Sequence, residues 1–181
     1  MKMKILTLLV ITAVFSGCST LEVMTTKADG TDLSQYKTFG FSLKKPPVAN
    51  PAYFNEINQN RVKKAISSQL ANRGYKVDEN PDLVISIYLK IEDKQSVVTY
   101  PTYYGGRGYY GYYGGYSHAW NSTTINYTQG TLIVDLVDSE KQKLIWQGVA
   151  ADTVNGKGKN TGKKINEAIT KMFKEFPVQL N

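Results

Sequence analysis

The stretch Leu83-Val84-Ile85-Ser86-Ile87-Tyr88-Leu89-Lys90-Ile91-Glu92 decides the fold. Leu83, Ile85, Ile87, Leu89 and Ile91 alternate with Ser86, Tyr88, Lys90 and Glu92. Successive side chains of an extended chain point to opposite faces, so this alternation predicts a strand with one buried and one open face. Leu132, Val134 and Leu136 repeat the pattern, and Leu144-Ile145-Trp146 opens a further strand running through Val149 towards Val154. The polar run Asp138-Ser139-Glu140-Lys141-Gln142 between them reads as the turn of an antiparallel hairpin. Upstream, residues 21–26 and 37–41 are expected strands joined by Asp29-Gly30-Thr31-Asp32, and residues 75–77 are a candidate for a short additional one.

A half-buried sheet needs a cover, and two segments have the right period for it. Ile165, Ala168, Ile169, Met172, Phe173 and Phe176 fall on one helical stripe, with lysines and glutamates opposite. Asn160 or Thr161 can cap its start, and Pro177 stops it. An earlier helix is expected over residues 54–73, with Ile57, Val62, Ala65, Ile66 and Leu70 as its stripe and Gly74 as a left-handed cap. The predicted architecture is α+β: a mainly antiparallel sheet with two amphipathic helices on one face, in the order β-β-α-β-β-β-α.

The first seventeen residues read as an export signal. Lys2 and Lys4 precede an apolar run from Ile5 to Phe15, far shorter than the roughly 20 residues that span a bilayer. Phe15-Ser16-Gly17-Cys18 resembles a lipobox, in which the cysteine is acylated before cleavage; Phe15 stands where Leu, Val or Ile is usual. Cys18 is the only cysteine in the chain. The expected mature protein is therefore a single domain, residues 18–181, anchored to a membrane through lipid on Cys18. Two or more acyl chains give stable anchoring. Ser19, by resemblance to enterobacterial lipoproteins, favours the outer membrane, facing the periplasm. Only Ser19 and Thr20 separate Cys18 from the first strand, a reach on the order of 10 Å.

The pieces Tyr36-Lys37-Thr38-Phe39, Arg73-Gly74-Tyr75, Asn80-Pro81-Asp82-Leu83, Gly130-Thr131-Leu132 and Leu144-Ile145-Trp146-Gln147-Gly148 follow one another in a particular order. Behind a lipobox, that order resembles the bacterial lipoprotein family known as domain of unknown function 4136, over nearly the whole mature chain. The resemblance implies an envelope α+β domain and brings no established activity.

Between residues 100 and 120 the composition changes abruptly. This segment holds eight of the thirteen tyrosines and six of the fifteen glycines, and no branched aliphatic residue. Glycine is costly to order and weak in strand interiors, which predicts a mobile insertion or the tip of a long hairpin. The functional reading is an adhesive loop built from Tyr103, Tyr104, Arg107, Tyr109, Tyr110, Tyr112, Tyr113, Tyr116 and Trp120. Tyrosine offers a flat apolar ring and a hydroxyl at low conformational cost, suited to another envelope protein or a cell-wall glycan.

Enzyme chemistry finds little support. His118 is the only histidine and lies beside the tyrosine run, and Cys18 is committed to lipid. Neither a Cys/His pair nor a zinc cluster of cysteines and histidines can be assembled, and no cofactor is expected. A pair of carboxylates remains as a hydrolase reading, but Asp135 and Asp138 fall on opposite sides of a strand, and Asp82, Asp93 and Asp152 look like strand-end or turn residues. The formal charge is +7, and +5 without Lys2 and Lys4. Lys63-Lys64 and Lys163-Lys164 are dispersed on helices, so a solvated basic face is expected, with no nucleic-acid partner. Trp146, inside an apolar strand, is expected in the core.

Overall fold

A computed structural model describes residues 21–42, 55–103, 118–154 and 160–178, with the backbone alone at 101–103 and 118–120. In chain order the elements are β1 (Glu22–Lys27), a 3-10 turn (Leu33–Gln35), β2 (Thr38–Phe41), α1 (Glu56–Ala71), β3 (Lys76–Val77), β4 (Leu83–Tyr103), β5 (His118–Asp138), β6 (Lys143–Thr153) and α2 (Thr161–Lys174). The strands form one sheet in the order β1-β6-β5-β4-β2-β3. β2 runs parallel to β3 and β4, and the other pairings are antiparallel. This is the expected α+β order, with Lys76–Val77 as the additional strand.

The alternating residues point where their period requires. Leu83, Ile85 and Ile87 of β4, Leu132, Val134 and Leu136 of β5, and Trp146 and Ala150 of β6 are buried, together with Val62, Ile66 and Leu70 of α1 and Ala168, Ile169, Met172 and Phe173 of α2. Trp146 is 1% exposed and packs its ring 5.4 Å from that of Phe173 and 5.2 Å from that of Phe176. Gly148, two residues on, makes room for it: a Cβ there would stand 2.6 Å from the Trp146 ring and 3.0 Å from the Met172 sulfur.

The two helices depart from the sequence reading at their starts, while Gly74 closes α1 as expected. Ile57 is not part of the α1 stripe; it is 63% exposed, and Asn58 is buried in its place. Position 58 stands four residues from Val62 and so shares its face, whereas position 57 is rotated well away. Asn55 caps this helix, its side chain accepting from the Asn58 N–H at 3.0 Å. At the other end Gly74 has φ +86°, and the N–H groups of Gly74 and Tyr75 close on the carbonyls of Ala71 and Leu70. In α2, Asn160 adopts φ +69° and makes no side-chain cap bond. The first turn is tied instead by Lys164, whose Nζ donates to Asp152 Oδ2 (2.7 Å) and the Thr153 carbonyl (2.9 Å).

Two side-chain locks hold the layers in register. Asp82 accepts the backbone N–H of Lys37 (2.8 Å) and Thr38 (2.9 Å), while its own N–H donates to Thr38 Oγ1 (2.8 Å). This fixes β2 alongside β4. Arg73 lies buried between the helices, donating to the carbonyls of Gln69 (2.8 Å), Phe173 (2.5 Å) and Val178 (3.0 Å) and stacking on Phe173 and Phe176. A cation at the carbonyl end of α2 also suits the helix dipole.

Candidate functional site

β4 and β5 are each 21 residues long and stay in one antiparallel register from Leu83↔Asp138 to Tyr103↔His118. Their neighbours are much shorter. β2 pairs with β4 only at Leu83–Ile85, and β6 leaves β5 at Gln129↔Thr153, with one last bond from the Val154 N–H to the Thr128 carbonyl. Eleven residues of each strand, 93–103 and 118–128, therefore project as a two-stranded arm, roughly 35 Å long at about 3.3 Å per residue. Residues 93–100 and 121–126 are all exposed, Val97 to 65% and Ile125 to 49%.

The arm is polar and β-branched, which gives it extended backbone preference without a core. Thr128 Oγ1 donates to Asp93 Oδ1 (2.8 Å), and the hydroxyls of Tyr100 and Thr123 share a bond (3.0 Å). An isolated two-stranded hairpin is marginal in water, so such an arm invites a surface to lie against. Its β4 strand includes Asp93, Lys94 and Pro101, a composition that discourages indiscriminate strand addition.

The arm locates the tyrosine-rich segment. Tyr103 ends β4 and Trp120 lies in β5, so the segment between them is the connection of this hairpin. Tyr104, Arg107, Tyr109, Tyr110, Tyr112, Tyr113 and Tyr116, like Cys18, fall outside the described residues. Sequence reasoning missed the outer strands themselves. Their signal is the density of Val, Thr and Tyr in Val97-Val98-Thr99-Tyr100 and Thr123-Thr124-Ile125, which alternation alone does not detect.

The sheet face away from the helices is also uncovered among the described residues. Register places Met24 beside Val149, Val149 beside Ile133, and Ile133 beside Tyr88, one apolar row across β1, β6, β5 and β4. Met24 is 65% and Tyr88 39% exposed. The next row is polar, Thr26, Gln147, Asp135 and Ser86, with Gln147 Nε2 donating to Asp135 at 2.7 Å.

The carboxylates are occupied with structure. Asp82 is held below the usual aspartate range first by the Lys37 N–H and then by that of Thr38. Asp138, buried at the end of β5, accepts the N–H groups of Glu140 (3.0 Å) and Lys141 (2.8 Å) and the Tyr36 hydroxyl (2.8 Å). The Lys141 N–H foremost, helped by the Tyr36 hydroxyl and the Lys141 charge, lowers its pKa against the opposing effect of burial. Burial pushes the Tyr75 hydroxyl up to about 12, and it donates to the Leu33 carbonyl at 2.7 Å. A shallow depression of about 220 Å³ beside Asp29, Tyr36, Asp138 and Lys143 lies at the opposite end of the sheet from the arm. Among the described residues no group of three or more His, Cys, Asp or Glu could hold a metal ion, and no helix is long and apolar enough to cross a membrane.

These features define a class: a small α+β domain whose central hairpin is extended into an arm. The chain belongs to the family described as domain of unknown function (DUF4136), which matches residues 23–178. Among solved structures it is similar to a PDZ domain protein from Parabacteroides distasonis ATCC 8503, at 14% identity and a TM-score of 0.55. That match covers 90% of this chain and 38% of the other, so the chain spans well under half the length of that protein. It is also similar to the PelC dodecamer from Paraburkholderia phytofirmans, at 12% identity and a TM-score of 0.48, covering 89% and 99% of the two chains. No curated protein matches it in sequence.

Proposed function

We propose that this protein is a non-enzymatic binding or assembly module of the bacterial cell envelope, anchored to the outer membrane through lipid on Cys18 and engaging its partner through the arm. The observation that carries the reading is the arm itself. It extends beyond every neighbouring strand, contributes nothing to the buried core, and ends in a segment rich in tyrosine. A protein retains such a feature for contact, because exposed two-stranded ribbon adds little stability of its own. The aspartates weighed for hydrolysis are bound to backbone N–H groups or to Gln, Lys, Thr and Tyr side chains, which suits structure better than acid–base work.

The test is photo-crosslinking in living cells from a reactive residue at Tyr100, compared with one at Lys64 on α1. A discrete protein adduct from the arm alone supports an assembly module and identifies its partner. An adduct carrying cell-wall sugar supports the second reading, a glycan-binding module, which the tyrosine content of the hairpin connection favours. Equal labelling from both sites, or none, overturns the arm as the working surface.

A further inference from the structure

The strand directions fix where the anchor and the arm leave the sheet. β4 runs outward to the arm, β5 returns, β6 runs outward, and β1, antiparallel to β6, begins at the same end from which the arm projects. Glu22 stands level with Ala151, Thr131 and Lys90. From that level, residues 91–103 carry β4 a further 43 Å or so at about 3.3 Å per residue. Between Glu22 and Cys18 the chain spans at most about 14 Å.

These two lengths exclude an upright domain on a membrane that holds Cys18. With the arm end down, the arm would run about 30 Å past the surface, the depth of the hydrocarbon core, carrying Gln95, Asn126 and, deepest, Asn121 into it. With the arm end up, the tether would have to reach down the body of the sheet, from the level of Lys90 to that of Leu83, about 23 Å. The strands must lie along the surface. Placing the helices underneath interposes a layer about 10–12 Å thick, which consumes most of the tether and leaves the apolar row of the open face in water. Standing the sheet on its β1 edge leaves the row Met24, Val149, Ile133 and Tyr88 in water.

We infer that the open face of the sheet is a membrane-docking surface, and that the domain lies flat on the leaflet that carries its anchor. This rests on Cys18 being the lipidated residue. The apolar row Met24–Val149–Ile133–Tyr88 enters the headgroup boundary, and Tyr88 suits that position with an apolar ring and a polar tip. The face carries no excess of positive charge: Lys90 pairs with Glu92 at 2.8 Å, and the remaining charges of the body on this face are the carboxylates of Glu22 at its arm end and of Asp135, which accepts from Gln147. Contact is therefore apolar and interfacial rather than an attraction of lysines to anionic lipid. In this pose the arm runs along the leaflet and sweeps for partners in the plane of the membrane.

The test uses the full lipidated protein in vesicles of phosphatidylethanolamine and phosphatidylglycerol. Since the lone cysteine bears the lipid, single cysteines introduced by Met24→Cys, Tyr88→Cys, Ile133→Cys and Lys64→Cys each accept one fluorophore. Quenching by lipid-borne nitroxides is expected to be several-fold stronger at 24, 88 and 133 than at 64 on the helix layer. Protein that sediments with the vesicles while 88 and 133 quench no more than 64 overturns the docking and leaves the anchor standing. Quenching at 24 alone means an edge-on pose and overturns it as well. Protein that fails to sediment overturns the anchored reading, and this inference with it.

Discussion

The inner and outer halves of the β4–β5 hairpin share one register and one backbone geometry, yet they are held in place by different forces. In the inner half, residues 83–92 and 129–138, every second side chain enters a core against two helices, and neighbouring strands flank both sides for part of its length. Burial of Leu83, Ile85, Val134 and Leu136, each at most 1% exposed, drives that half. Among the described residues the outer half, residues 93–103 and 118–128, has its cross-strand partner and, beyond that, one bond from the Val154 N–H at its base. Cross-strand pairs contribute roughly 0.2–1 kcal/mol each, enough to hold a ribbon that is already nucleated by the body. Stability therefore resides in one half of the hairpin, and the other is free to serve contact.

The contrast is broken most directly at the core. Trp146→Ala should cost about 3–5 kcal/mol, read by denaturant unfolding, because the ring bridges β6 to α2. A much smaller loss would mean that the inner sheet is not what the helices hold. Arg73→Met should follow at about 1–3 kcal/mol, since it leaves the carbonyls of Phe173 and Val178 without their buried donor. Asp82→Asn should cost about 1 kcal/mol at neutral pH, retaining an acceptor but losing its charge. Because the folded pKa values of Asp82 and Asp138 lie below those of the unfolded chain, their contribution is complete above about pH 3.9 and disappears as pH falls through the lower folded values. The acid limb of a stability-against-pH curve should flatten in the Asn variant.

Smaller effects are expected outward along the hairpin. Replacing residues 94–127 by a two-residue Asn-Gly turn should change unfolding free energy by about 1 kcal/mol or less, with the circular dichroism of the body retained. Collapse of the fold on that excision would show that the arm supports the body. Val97→Thr should fall within about 0.5 kcal/mol of the parent while still altering crosslinking from Tyr100.

Much of the body could be read directly. Period-two burial in Leu83–Ile91 and Leu132–Leu136, and period-3.6 burial in Ile165–Phe176, are consequences of side chains that must leave water, so pattern and structure share one cause. Ile57 misled because an apolar residue at a helix start counts towards a stripe by composition while its angular position excludes it. The family pieces also acquire physical content in three dimensions: Asp82 of Asn80-Pro81-Asp82-Leu83 grips Lys37 and Thr38 of Tyr36-Lys37-Thr38-Phe39, and Gly148 accommodates the ring of Trp146. They are fold-determining contacts, and the candidate working surfaces lie elsewhere.

Residue order alone specifies the set of elements with a buried face, their succession, and the abrupt change to tyrosine and glycine after Tyr100. Each follows from local periodicity or composition. Strand pairing in three dimensions adds that the strands run on to Tyr103 and from His118, that Met24, Val149, Ile133 and Tyr88 form one row, and that β1 begins at the end from which the arm projects. Those facts depend on strand order and register between segments as much as 129 residues apart, such as Glu22 and Ala151 in β1 and β6. No local pattern encodes them; they are selected when the whole apolar face of the sheet is buried at once.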